Sequence, residues 1–249
     1  MTGTDFPGGV GVTRLDVYPW AATDGHFGGS PHLHLASAEA YVVLAGTGRV
    51  QTVTAAGRAE HELHAGLVLW FTPGTVHRII RTSDDLDVLA IMDNAGLPEH
   101  GDAVLTFPRH VLADPQDYAR AVALPDDPAQ RDEAALRRRD LALAGYEELL
   151  QDLDARGAAA VDDLYAAATA LVRDRLPQWR VLVESGPAER VRATKAQLDR
   201  LAADDRSGLA RGRVRRLEPA GQTGRRIHGM CGYLRTWDLQ PPTDAQRQG

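Results

Sequence analysis

His32-Leu33-His34, Glu39 and His77 are the residues whose types and spacing point most directly to chemistry. Side chains on an extended strand alternate faces with a period of two, so the imidazoles of His32 and His34 point the same way. Glu39 follows five residues later, at the start of the next extended run, and His77 comes just after the tight Pro73-Gly74 turn. Three imidazole nitrogens and one carboxylate oxygen suit a divalent transition metal and leave one or two coordination positions open, as a catalytic rather than a structural metal site does. Without a metal, four such groups inside a barrel would leave buried polar atoms unpaired, at about 1–3 kcal/mol each.

The elements that must position these residues are short. From Val10 to about Phe107 the chain is cut into apolar runs by turn residues, which predicts eight strands: Val12 to Tyr18, His32 to Leu35, Ala40 to Leu44, Arg49 to Thr54, Ala59 to Leu63, Leu67 to Phe71, Val76 to Arg81 and Leu86 to Met92. Gly46-Thr47-Gly48, Ala56-Gly57, Pro73-Gly74 and Ser83-Asp84-Asp85 supply the reversals.

These residues resemble the cupin superfamily. Its first motif (His-x-His, three or four residues, Glu, six residues, Gly) is matched by His32, His34, Glu39 and Gly46, and its second by Gly66, Pro73, Gly74 and His77. Three positions depart: His26 stands where the first motif opens with glycine, the second motif's proline is shifted by one, and Arg81 replaces an asparagine often found four residues after the histidine. Arg81 is expected on the same strand face as His77, where its charge would suit an anionic substrate. The resemblance implies a double-stranded β-helix (jelly-roll barrel) over about residues 10–107 and one divalent ion (Fe, Mn, Ni, Co, Cu or Zn) on His32, His34, Glu39 and His77.

After Phe107 the rhythm becomes helical. Asp114-Pro115 predicts a capped helix to about Leu124. A long helix is expected over Ala129 to Arg156, with Leu136, Leu143, Tyr146, Leu150 and Leu153 on one stripe and Gly157 ending it. Two more follow, Asp162 to Leu176 before Pro177 and Pro187 to Ala203, the latter with Val191, Leu198 and Leu201 inward. Arg213 to Leu217 and Arg226 to Leu239 read as extended, around a Gly221 to Gly224 turn, with a polar, disordered tail after them. The expected organisation is a barrel domain, 1–107, and a helical region, 108–249, whose late strands (213–239) are positioned to return to the barrel. The arginines and aspartates of the helical half read as solvated faces.

Among 249 residues the formal net charge is −6, so no basic field gathers nucleic acid or an anionic membrane surface. No run approaches eighteen apolar residues, and the lone Cys231 cannot form an intramolecular disulfide. A cytoplasmic homodimer acting on a small molecule is expected. The remaining histidines, His26, His61, His64, His100, His110 and His228, read as surface or packing residues, and Cys231, Tyr233 and Trp237 as parts of a late strand. Tyr41, two residues after Glu39, is expected to face the metal-lined interior as a packing residue or as a proton carrier. The resulting functional expectation is a metal-dependent oxidoreductase of dioxygenase type. The alternatives are an isomerase or lyase using the metal as Lewis acid, and a non-catalytic small-molecule-binding module.

Overall fold

The computed structural model describes residues 6–93, 96–216 and 227–237. Its N-terminal half is two facing antiparallel sheets formed by β1 (Gly11–Val17), β2 (Phe27–Gly28), β3 (His32–His34), β4 (Glu39–Ala45), β5 (Thr47–Thr54), β6 (Gly57–His64), β7 (Val68–Phe71), β8 (Val76–Arg81), β9 (Asp87–Met92) and β10 (Ala103–Leu105). The eight strands expected from the sequence all form. β2 and β10, of two and three residues, are too short to leave a periodic signal.

Beyond them come α1 (Arg109–Leu112), α2 (Pro115–Val122), α3 (Pro128–Arg156), α4 (Ala158–Val172), α5 (Leu176–Ser185), α6 (Pro187–Ala202), β11 (Ile227–His228) and β12 (Gly232–Thr236). One sheet runs β11-β12-β1-β9-β4-β7 and the other β10-β3-β8-β5-β6, with β2 also on β8. The late hairpin therefore returns to the barrel, Leu234 opposite Leu15 and Gly232 opposite Val17. A Cβ at position 232 would stand 2.1 Å from the Asp16 carbonyl oxygen, so only glycine lets the hairpin seat this closely.

Strand alternation sorts the two faces. In β4, Glu39, Tyr41 and Val43 are buried between the sheets while Ala40 and Val42 are partly exposed. In β3 all three residues are buried: His32 and His34 point into the barrel, and Leu33, fully buried, joins Val53, Val76 and Val104 in a second core. The helices complete that core with Phe107, Ala142, Leu143, Tyr146, Val161, Leu164 and Trp179. Leu33→Ala at such a site costs about 2–5 kcal/mol.

α3 is the clamp. Asp127 caps it by accepting from the Ala129 amide, and Gly157 ends it at φ 60°. Gly145 lets it approach so closely that a Cβ would meet the Phe107 backbone at 2.2 Å. Thr106 Oγ1 donates to Ala142 O at 3.0 Å, and Arg139, completely buried, donates to Trp20 O and Ala21 O at 2.7 and 2.8 Å. Tyr165 of α4 donates to Gly74 O at 2.8 Å, bracing the turn before His77.

Four expectations are corrected. Arg138 and Arg139 are buried rather than solvated, because backbone carbonyls accept from them. Pro177 opens α5 instead of following a helix that reaches Leu176, since a first-turn proline loses no helical hydrogen bond; α4 stops at Val172. Val191, Leu198 and Leu201 are exposed because α6 lies at the margin of the helical layer, with no buried residue. Residues 213–216 form no strand. The turn and tail expected at 221–224 and after 239 lie outside the described residues. Among the described residues no helix is long and apolar enough to cross a membrane.

Candidate metal centre

His32 and His77 are direct cross-strand partners of β3 and β8, with ring centroids 4.3 Å apart. Glu39 enters from the opposite sheet, where β4 pairs with both β7 and β9. One ligand atom from each of His32, His34, Glu39 and His77 lies within 4.8 Å of the others, and all four residues are buried. Glu39 Oε2 stands 3.0 Å from His77 Nε2 and 3.3 Å from His34 Nε2.

The outer nitrogens explain why the inner ones converge. His32 Nδ1 lies 2.9 Å from Ser30 O, His77 Nδ1 3.0 Å from Thr75 O, and His34 Nδ1 3.1 Å from Asp102 Oδ2. Two carbonyl oxygens and a carboxylate can only accept, so each Nδ1 carries its proton and each Nε2 offers a lone pair to the centre. Three lone pairs and a carboxylate aimed at one point repel unless a cation lies between them. Glu39 Oε2 and His77 Nε2 are in fact buried with no hydrogen-bond partner. The residues present therefore fit a single divalent ion.

The electrostatics agree. Burial, helped by His77 and His34, drives His32 well below the usual imidazole range, so it stays neutral. Burial also opposes charge on His34, but Asp102 and Glu39 outweigh it and raise His34 to about 9. Glu39, which burial alone would raise, is held well below the carboxylate range by the imidazoles of His34 and His77 against its Oε2. Asp102 is completely buried and accepts from the amides of Leu35, Ala36 and Ser37 as well as from His34. These contacts keep it ionised against its own burial. Asp102 escapes a sequence reading because it belongs to neither motif and lies 68 residues from its histidine.

Tyr41 does face inward and is completely buried, but its hydroxyl is 3.5 Å from Cys231 Sγ and its ring packs edge-on against Phe71. Burial pushes its phenol well above the usual range, and pushes the Cys231 thiol up to about 12. Arg81 does not join the site. Four residues along β8 from His77, its guanidinium is held at 2.9 Å by Asp84 Oδ1, with Asp84 O and Ser83 O also accepting, at the far turn.

The centre opens onto a cavity of about 240 Å³. His32, His34 and Glu39 form its floor, Leu15, Ala90, Met92 and Leu234 an aliphatic wall, and Arg138, His228, Met230 and Cys231 the wall contributed by the helical half and the hairpin. His228, read from sequence as a surface or packing residue, has a side chain only 4% exposed; its Nε2 lies 2.7 Å from Asp132 Oδ1, and its Nδ1 is buried without a partner. The sequence offered no signal for either Arg138 or His228.

Residues 22–92 match the family model of the cupin domain. A search of the curated proteins gives no match. Similar solved structures include a TDP-fucose-3,4-ketoisomerase from Campylobacter jejuni, at 12% identity over 37% of this chain and 64% of that one, TM-score 0.32. Oxalate decarboxylase from Bacillus subtilis matches at 25% identity over 26% of this chain and 17% of that one, TM-score 0.24. A conserved Klebsiella pneumoniae protein with a double-stranded β-helix domain matches at 14% identity over 37% and 75%, TM-score 0.29. The chain thus spans less than two thirds of the ketoisomerase and about a sixth of the decarboxylase. With both motifs in order inside the matched stretch, residues 22–92 of this chain form a cupin domain.

Proposed function

We propose that this protein is a metal-dependent enzyme acting on a small organic molecule, an oxidoreductase of dioxygenase type. The observation that carries the reading is that the His32, His34, Glu39 and His77 centre opens onto a cavity instead of being closed by further ligands. A divalent ion held there by three Nε2 atoms and Glu39 supplies Lewis acidity and, if redox-active, electron transfer to O2. Asp102 holds His34 in the ligating tautomer. Leu15, Ala90, Met92 and Leu234 keep the substrate side poor in water, and Tyr41 keeps its proton, which removes the nearest phenol from base catalysis. The test is oxygen uptake by Fe(II)-loaded protein across a panel of small organic acids and enolones. Stoichiometric O2 consumption with substrate loss supports the reading; turnover that continues unchanged without O2 overturns it.

His228 favours a second reading, isomerase or lyase. With Nε2–H donated to Asp132, the unpartnered Nδ1 of this cavity-lining residue would take a proton from a carbonyl substrate, which a divalent ion held by His32, His34, Glu39 and His77 would polarise. Anaerobic incorporation of solvent deuterium, lost in His228→Asn with metal content intact, distinguishes this chemistry from the first.

A further inference from the structure

We propose that Arg138 is the anion-binding residue of the cavity, so that the ligand is a small organic acid lying between its guanidinium and the metal centre. This names the substrate class and rests on the cavity being the functional site described above.

Arg138 projects from α3 into the cavity wall and is only 7% exposed. Its Nη2 donates to Gly229 O at 2.6 Å and its Nη1 to Val122 O at 3.4 Å, but its Nε–H is buried with no acceptor among the described residues. Both acceptors are neutral carbonyls. The phenols of Tyr18 and Tyr118 lie close to it, Tyr18 within hydrogen-bonding reach, and both stay neutral because burial raises them. Other arginines here have carboxylate partners, Arg78 with Asp24, Arg139 with Asp140 and Arg14 with Asp87. No ion pair forms at Arg138 among the described residues, although Glu99 lies at the exposed mouth of the same cavity. Asp132, on the same helix, is engaged by His228 and Tyr233.

A buried guanidinium without a counter-charge is expensive to retain, and the usual resolution is an anion in reach. A carboxylate is the shape its planar donors fit. The second orphan in the same wall, His228 Nδ1, likewise calls for a polar ligand group. The aliphatic residues opposite suit the ligand's carbon skeleton. A small organic acid that also carries a hydroxyl donor satisfies all three, its carboxylate at Arg138 and its hydroxyl at His228 Nδ1, whereas a neutral hydrocarbon leaves both polar atoms unpaired.

Binding of benzoate, and of its neutral analogue benzamide, is measured by titration calorimetry on metal-free and Zn(II)-loaded protein, without reference to turnover. The expected result is that benzoate binds the wild type, benzamide at least tenfold more weakly, and that Arg138→Met weakens benzoate at least tenfold while metal content is unchanged. Should Arg138→Met fail to fold, Arg138→Lys, which keeps the charge but loses the Nε–H donor, is expected to bind benzoate several-fold more weakly than wild type. Equal binding of benzoate and benzamide, no benzoate binding at millimolar concentration, or a folded variant with wild-type affinity overturns the proposal. Carboxylate binding that needs Arg138 in a protein with no metal-dependent turnover leaves it standing and removes only the catalytic reading.

Discussion

Asp102 Oδ2 accepts the Nδ1 proton of His34 at 3.1 Å, while its two oxygens also take the amides of Leu35, Ala36 and Ser37. One carboxylate thus sets both the tautomer of a ligand and the path of the β3–β4 connection. Asp102→Asn keeps the shape but loses the charge, and its amide donors face other donors. Metal affinity is expected to fall about 10–100-fold, the scale of losing such an outer partner, with about 1–3 kcal/mol of stability. Calorimetric metal titration beside thermal melts checks both; unchanged affinity would remove Asp102 from the centre.

Metal content is the direct check on the ligand set. Elemental analysis of the purified protein is expected to give one divalent ion per chain, lost in His32→Ala/His77→Ala. Full occupancy in the double variant would mean that the ion sits elsewhere.

The pH dependence follows from His34, whose pKa is raised to about 9 in the absence of a metal. A raised imidazole pKa stabilises the metal-free fold fully below the unfolded value of about 6.5, and that contribution disappears as pH rises through about 9. The metal must displace the same proton, so its affinity is expected to climb up to tenfold per pH unit from pH 6.5 to about 9, then level off. Calorimetry at pH 7 in buffers of different ionisation enthalpy should register one proton released per metal. Affinity that does not change over this window contradicts the assignment of the proton to His34.

Tyr41→Phe tests the remaining sequence-derived residue. Because its hydroxyl meets Cys231 and burial keeps it protonated, the variant is expected to retain its metal and turn over within about twofold of wild type. A loss of about 10²-fold, the scale of acid–base contributions, would restore the proton-carrier role.

Cutting the chain after Phe107 removes the cover from Leu33, Val53, Val76 and Val104 and leaves β1 unpaired along its β12 edge. The fragment is expected to aggregate. A soluble fragment with a cooperative melt would show that the barrel folds alone.

The parts legible in the sequence were those with local periodicity. His32 and His34 flank a leucine that faces the other way, and the Pro73-Gly74 turn marks the start of β8, so four ligands and eight strands follow from short-range pattern. Arg138 and His228 left no such trace. Arg138 sits in an arginine-rich turn of α3 indistinguishable from a solvated face, and His228 depends on a hairpin that pairs with β1 across more than two hundred residues. The exposure of Val191, Leu198 and Leu201 was equally hidden, because an apolar stripe does not say whether anything packs against it.

The hairpin that seats Cys231 against Tyr41 also sets an order of events during synthesis. Those two residues are 190 positions apart. At about 5–20 residues per second, roughly ten to forty seconds separate their appearance on the ribosome. For most of that interval, from His77 onward, the growing chain has its three histidines and its glutamate but lacks the wall carrying His228, Met230 and Cys231. The four ligands thus exist well before the wall that turns their surroundings into a chamber, so the ligand set and its enclosure are separated in time by the placement of one short hairpin.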